Sequence, residues 1–397
     1  MKIRYAIKIE NNLTNNCVRI QLILCFLIAL FTMMGNSQIV SILFSSTFIV
    51  LAINLIVLFR KAKLERRDYH TVVIMFIIIV VAFLSVIIVA HDVSFNYFKK
   101  YIMFSSTIIF LFIVSRAIVT TALIDFMLKM NIILCVAYYM FFLLGDAPYY
   151  GGGLTLNYTN PNLLALWLLH GILFLIISIF YFKSKVLKLL SIGAVIIVLF
   201  MVIETKTRSV LLSLVIFTIM LVFIVFSRRF KFGNFFTAVL ILYPIIFAVI
   251  YMNAINNPNL IESLDFMTSP GKGLDSRVRI WTDSFAVTKN NLLFGNYYSI
   301  SDGTGMSQLH NTHIDVLASY GYLVFSGFLI YLYSIALRIA NNCESRLQKI
   351  ALASFFAVII AGSGEAAFVS GSVGMYILSC SYLLIARYKD TIDSKSI

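Results

Sequence analysis

"TVVIMFIIIVVAFLSVIIVA", residues 71–90, is a run of twenty residues without a charge. As a helix it rises about 30 Å, the thickness of a bilayer's hydrocarbon core, and a helix is the form that leaves no backbone group open to lipid. Just before it stands "RKAKLERR" (60–67), a basic cluster of the kind that stays on the cytoplasmic side of a membrane. Outward from this stretch, apolar runs recur in both directions, centred near residues 27, 49, 80, 109, 138, 171, 196, 218, 243, 325, 358 and 378. The pattern predicts an all-α polytopic integral membrane protein of about twelve transmembrane helices, with 1–397 forming a single transmembrane domain.

Composition agrees. The 397 residues are 61% hydrophobic and 12% charged, with a mean hydropathy of +0.95, whereas soluble domains are about one-quarter charged. The net charge of +14 raises the question of a nucleic-acid partner, and the placement of the basic residues answers it. With the N-terminus in the cytoplasm, "RKAKLERR", "KSKVLK" (183–188), "RRFK" (228–231), Arg338 to Lys349 and Arg387 to Lys389 all fall inside. The charge is therefore membrane topology, with both termini cytoplasmic, and no nucleic acid is implied. Cys17, Cys25, Cys135, Cys343 and Cys380 show no C-x-x-C spacing, so neither a disulfide framework nor a zinc site is supported. The first apolar run lacks a small-x-small cleavage site and reads as an uncleaved anchor.

Three outward segments stand out among short connections. "GDAPYYGGGLTLNYTNPN" (145–162) is rich in glycine and aromatics and ends in Asn160-Pro161, an N-cap followed by proline in the first helical turn. "ETKTRS" (204–209) is a pinch between two spans. The third is a long extracytoplasmic loop over 253–311, far beyond the usual connection length. Its middle, "LDSRVRIWTDSFAVTKNN", sets Val278, Trp281, Thr282 and Phe285 on one helical face, with Asp275 as N-cap and Gly295 past the end. That pattern predicts an amphipathic helix lying on the outer membrane surface.

Arg208, Arg277 and Arg279 stand on the outer side, against the positive-inside trend. Either they are solvated or snorkelling charges, or they converge on a phosphate or pyrophosphate, which planar bidentate donors fit. His310 and His313 have i, i+3 spacing at the mouth of an apolar helix, but no H-E-x-x-H pattern or carboxylate cluster supports a metal. They are either interfacial residues capping the helix or, for one of them, a general base titrating near neutrality. Glu365, in "GSGEAAF" near the outer end of a late span, is a functional candidate or the partner of an outer arginine. Asp125 and Lys129 read as an i, i+4 ion pair, and His170 as a satisfied core residue.

Four pieces of the chain carry a resemblance: "NYTNPNLLAL" opening a middle span, "TKTRSVLLSL" at an outer helix end, "DSRVRIWTDSFAVTKNNLLFGN" in the long loop, and "HNTHIDVLASYG" leading into the next span. Their order resembles the O-antigen ligase and O-antigen polymerase (Wzy-type) superfamily of bacterial surface-polysaccharide enzymes. The last piece fits that family's H-N/S/Q, nine residues, glycine pattern through His310, Asn311 and Gly321, with Val324 where a second glycine is usual.

The resemblance implies a metal-independent, inverting membrane glycosyltransferase without a cofactor, acting on undecaprenyl-pyrophosphate-linked oligosaccharide at the outer face of the bacterial plasma membrane. In its terms His310 is the catalytic base and Arg208, Arg277 and Arg279 bind the pyrophosphate. Asn311, Gly321, Asn160, Asn162 and Glu365 support the site. The expected reaction is polymerisation of repeat units into a capsule, exopolysaccharide or O-antigen chain. The alternative is a ligase moving finished glycan to lipid A core or another acceptor. The implied partners are membrane lipid, a chain-length regulator and a repeat-unit flippase. A lipid-linked-sugar flippase or transporter remains the reading from another class; it predicts cationic residues lining several spans, whereas the outward charges here gather around one long segment.

Overall fold

The computed structural model describes residues 2–61, 66–89, 95–117, 119–144, 148–226, 291–295, 309–365 and 373–388, with the isolated residues 239, 242 and 245. Eleven α-helices and one two-stranded hairpin fall among these described residues. In chain order they are α1 (Lys2–Met33), α2 (Ser37–Lys61), α3 (Arg66–Val89), α4 (Phe95–Arg116) and α5 (Thr121–Leu144). The hairpin β1 (Tyr149–Tyr150) and β2 (Gly153–Leu154) is followed by α6 (Pro161–Tyr181), α7 (Lys185–Glu204) and α8 (Arg208–Phe226). After the long loop come α9 (Thr312–Ala340), α10 (Arg346–Ala361) and α11 (Val373–Ala386).

Eight helices among the described residues are long and apolar enough to cross a membrane: those at 16–33, 37–57, 69–88, 121–144, 161–181, 185–204, 208–226 and 312–340. The chain is a multi-pass membrane protein. Helices α4, α10 and α11 stand at three more of the expected centres, near 109, 358 and 378. At 16 and 14 residues, α10 and α11 rise only about 24 and 21 Å, short of a full hydrocarbon core. The centre expected near 243 and most of the loop at 253–311 lie outside the described residues.

Short polar residues start the helices where the sequence places them. Asn160 is extended, accepts from the Leu163 amide at 2.8 Å, and has Pro161 next to it. Ser345 and Gln348 form a reciprocal capping box at the start of α10. Between α1 and α2, Gly35 takes φ +71°, which allows the chain to reverse within the turn ahead of α2.

Helices α6, α10 and α11 are enclosed by the others, and their buried faces run almost all round. Helices α2, α7 and α8 turn exposed apolar side chains outward, such as Ile42, Ile196 and Phe223, the surface expected against lipid. Close approach is bought with small residues: a Cβ on Gly374 would stand 2.3 Å from the Trp167 ring. Interhelical hydrogen bonds from Asn131 to the Gly171 carbonyl (3.1 Å) and from the Tyr331 hydroxyl to the Ile108 carbonyl (3.0 Å) add about 0.6 kcal/mol apiece. His170 is a core residue, its Nδ1 2.9 Å from the Tyr382 hydroxyl and its ring stacked on that tyrosine. Asp125 and Lys129 form their ion pair at 2.8 Å, and all five cysteines are free.

The bundle has two distinguishable ends. At one, Arg387, Arg338 and the Ser345–Gln348 box gather. At the other, a chain of contacts joins the connections. The Asn157 amide donates to the Met33 carbonyl at 2.7 Å, and Gly153 abuts the Thr205 carbonyl, 2.6 Å from where its Cβ would stand. Thr207 donates to Asn162 Oδ1 at 3.0 Å, Gly364 abuts Ser209, and the Thr312 amide donates to the Gly362 carbonyl at 2.8 Å. Every described residue of the candidate site lies at this second end.

Candidate active site at the start of the ninth helix

The order His310-Asn311-Thr312 converts a loop into a helix in three residues. His310 takes φ +49°, the left-handed region that costs a non-glycine residue about 1–2 kcal/mol. Asn311 is extended, at φ −156°, and its side-chain oxygen accepts from the amides of His313 and Ile314 at 2.9 and 3.0 Å. Asparagine rather than histidine is the cap. The same Asn311 side chain donates to the Ser363 carbonyl at 2.8 Å, and Thr312 Oγ1 donates to the Glu365 carbonyl at 3.3 Å. The turn after α10 is thus fastened to the start of α9 through two successive residues, Asn311 and Thr312, directly after His310.

That fastening sets Glu365 beside His310. His310 Nδ1 lies 3.2 Å from Glu365 Oε2; the carboxylate side chain is 5% exposed and the imidazole 26%. An ionised carboxylate only accepts, so beside an ionised Glu365 it is Nδ1 that donates, which leaves the lone pair on Nε2. A neutral histidine held this way is a base with one defined basic atom, and the carboxylate stabilises the imidazolium that forms on protonation. Glu365, expected either as a functional candidate or as the partner of an outer arginine, stands beside a histidine that neither expectation named.

His313 is buried in the first turn of α9, and both of its ring nitrogens lack a hydrogen-bond partner among the described residues. Asp315 is also buried and reaches Lys100 of α4 at 3.7 Å. Lys100 is a residue that sequence reasoning passed over. The signal was available, since "FKKY" (98–101) sets lysines at the helix end opposite the basic clusters, as unusual there as Arg208. Lys206 was passed over as well. It takes φ +57°, and its Nζ is 3.4 Å from where a Cβ on Gly152 would stand, so an amine lies over the hairpin turn. Among the described residues no group of three His, Cys, Asp or Glu side chains is arranged to hold a metal ion.

Arg208 is the first residue of α8, with an exposed side chain. A helix N-terminus carries partial positive charge, so a cation there is disfavoured by about 0.3–1 kcal/mol, whereas an anion is favoured by both groups. Asn162, through Thr207, ties the start of α6 to the turn that delivers this arginine, and Asn160 caps α6. The two asparagines position backbone around Arg208. Arg277, Arg279 and the amphipathic face of Val278, Trp281, Thr282 and Phe285 lie outside the described residues.

Gly321 gains a specific reason. It sits within α9 at φ +77°, ψ −179°, and breaks the helical path there. The segment 291–295 fills the break: the Tyr322 amide donates to the Leu292 carbonyl at 2.9 Å, and a Cβ on Gly321 would stand 2.2 Å from the Leu293 carbonyl oxygen. Gly295 completes the fit, with its own Cβ position 2.5 Å from the Ala318 carbonyl oxygen. Gly321, expected to support the site, permits the close approach of loop backbone, so the segment 291–295 of the long loop docks onto the helix that follows His310. Val324, in place of a second glycine, is buried in the core.

A family model described as O-antigen ligase matches residues 193–329, a span that includes Arg208, Arg277, Arg279, His310, Asn311 and Gly321 and ends before Glu365. Among curated proteins no match to the chain is found. The matched span contains three of the four sequence pieces, and the match supports the resemblance to the O-antigen ligase/polymerase superfamily.

Proposed function

We propose that the chain is a polysaccharide polymerase of the plasma membrane that joins undecaprenyl-pyrophosphate-linked repeat units at the outer face. The observation that carries the chemistry is the His310–Glu365 pair, an oriented base at the mouth of a membrane helix. His310 Nε2 removes the proton from an acceptor sugar hydroxyl as that oxygen attacks the anomeric carbon of the donor. The new C–O bond forms as the bond to the pyrophosphate oxygen breaks, with inversion. The proton ends on imidazole, beside the Glu365 carboxylate, and undecaprenyl pyrophosphate leaves with its bonding electrons. Negative charge growing on the leaving group is met by arginine and by the positive end of α8. Arg208 is supported in that role by its place at the helix start, and Arg277 and Arg279 by their spacing in the loop motif.

The outward placement rests on charge. The basic end of the bundle, with "KSKVLK", Arg338 and Arg387, is the cytoplasmic one under the positive-inside rule, which puts both termini inside and His310 outside. A lipid-linked glycan presented at the outer face would then reach the site laterally, with membrane lipid around it and a chain-length regulator and repeat-unit flippase as functional partners.

The ligase reading is kept because the matching family model carries that description. Incubation of the purified protein with lipid-linked repeat units separates the two. A ladder of products supports polymerase, whereas a single transfer to an added lipid A core acceptor and no ladder overturns it. The same assay run in EDTA is expected to proceed at its normal rate; inhibition reversed by a divalent ion would refute the metal-independent mechanism.

A further inference from the structure

A cavity of about 570 Å³ lies apart from His310, between the α1–α2 hairpin, α4 and the segment that leads into α6. Its volume falls in the range of about 300–1,000 Å³ usual for small-molecule sites. Its mouth is formed by the turn at Gly35 and Asn36 and by Asn157 and Thr159, and deeper in lie Phe44, Phe48 and Ile102. It opens at the same end of the bundle as the candidate site. Asn157 is anchored on the Met33 carbonyl, and three residues later Asn160 caps α6. Helix α4 carries Ile102 to the cavity and, two residues earlier, Lys100 to Asp315 of α9.

The lining is neutral and bifunctional. Ser37, Ser41 and Ser45 follow one another at i, i+4 and i+8, so hydroxyls descend one face of α2 for roughly 12 Å. Ser45 Oγ donates to the Ser41 carbonyl at 3.1 Å, which uses its proton and leaves its lone pairs open. Asn36 accepts from the Ile39 amide at 3.1 Å through its oxygen, which leaves its NH₂ to donate. Asn157 does the reverse, giving its NH₂ to the Met33 carbonyl and keeping its oxygen as acceptor. Beneath these groups the Phe44 and Phe48 rings meet edge to face, 5.0 Å apart. Among the described residues no charged side chain lines the cavity.

This combination selects among the parts of a lipid-linked glycan. A pyrophosphate needs cations, and the described residues of the wall supply none. A polyprenyl chain gains nothing from a descending row of hydroxyls and two carboxamides. A neutral sugar presents vicinal hydroxyls that both donate and accept, and an apolar C–H face that packs on an aromatic ring. We propose that this cavity is a saccharide subsite that holds a neutral sugar unit of the oligosaccharide substrate, away from the reacting carbon. The proposal rests on the glycosyl-transfer reading above and adds to it the place where the glycan is held.

The test uses full-length protein in lipid nanodiscs with Phe44→Trp as a fluorescent reporter. The probe is the repeat-unit oligosaccharide freed from its lipid by mild acid, and the control is undecaprenyl phosphate without sugar. Saturable change of the reporter with the free oligosaccharide is expected, weakened about 5-fold by Ser41→Ala and unchanged by His310→Ala. A response to undecaprenyl phosphate alone would mark a lipid-chain groove and overturn the proposal, as would no response to the oligosaccharide. In the chain without the reporter, Ser41→Leu is expected to raise KM for the lipid-linked substrate at nearly constant kcat, and an unchanged KM would count against the subsite. A protein that binds the oligosaccharide but transfers nothing would sink the reaction assigned above and leave the subsite standing.

Discussion

The two ends of the bundle use polar side chains in different ways. At the basic end several go to backbone, beside side-chain contacts such as Arg338 to the Thr71 hydroxyl: Arg387 Nη1 donates to the carbonyls of Val114 and Ala117 at 2.5 and 2.7 Å, and Gln348 donates to that of Tyr388 at 2.8 Å. These are carbonyls near helix ends, which have no partner in their own helix. At the site end, side chains also hold one another: His310 on Glu365, Lys100 on Asp315, Thr207 on Asn162. A guanidinium spent on carbonyls stabilises, whereas an imidazole held by Nδ1 keeps Nε2 available. The difference teaches where to look for chemistry in an apolar bundle: at polar groups that are positioned yet retain an unused atom.

His310→Ala strikes that contrast hardest. It removes the unused atom, and transfer is expected to fall about 10²- to 10⁴-fold, with lipid-linked single repeat units accumulating in cells; normal polymer would end the base assignment. Next in size is Arg277→Lys, expected to lower kcat about 100-fold because a point charge cannot reproduce a bidentate fork. Arg208→Lys tests the same idea from the described side of the site, and full activity in both would return these arginines to surface roles.

Glu365→Gln keeps an acceptor for Nδ1 and removes the charge that favours imidazolium. A loss of about 10-fold in kcat with KM nearly unchanged is expected; a change confined to KM would make Glu365 a substrate-binding group instead. The smallest effect on chemistry belongs to the opposite end. Arg387→Ala leaves the α4 carbonyls of Val114 and Ala117 without this donor and is expected to cost about 1–3 kcal/mol of stability, read as a lower unfolding temperature in detergent. Activity per folded molecule should stay at the native level, and a selective loss of activity would break the division of labour between the two ends.

Much of this was legible beforehand. Asn160 with Pro161 announced the start of α6, because caps are local and their residue types few, whereas the start of α9 was expected from its apolar run with the histidines as caps and is capped by Asn311 instead. Other features were legible only in part. The pair of histidines invited a shared role, yet His310 sits in a left-handed turn against Glu365 while His313 is buried without a hydrogen-bond partner among the described residues. Gly321 was marked by its spacing, but nothing in the spacing told that the segment 291–295 would lie against it.

By itself the sequence determined that the chain lives in a membrane, roughly where it crosses, which segments carry the excess positive charge, and which short motifs stand at helix starts. Hydropathy, charge placement and capping are summed over neighbouring residues, so they survive without any knowledge of packing. Only the tertiary structure decided that Glu365, 55 residues away in sequence, meets His310, and that a neutral hydroxyl-lined cavity opens between α1, α2 and α4. Helices that are apolar all round give no amphipathic stripe to say which face meets which neighbour. In such a bundle pairing is set by close packing and a few interhelical hydrogen bonds, which a linear pattern does not record.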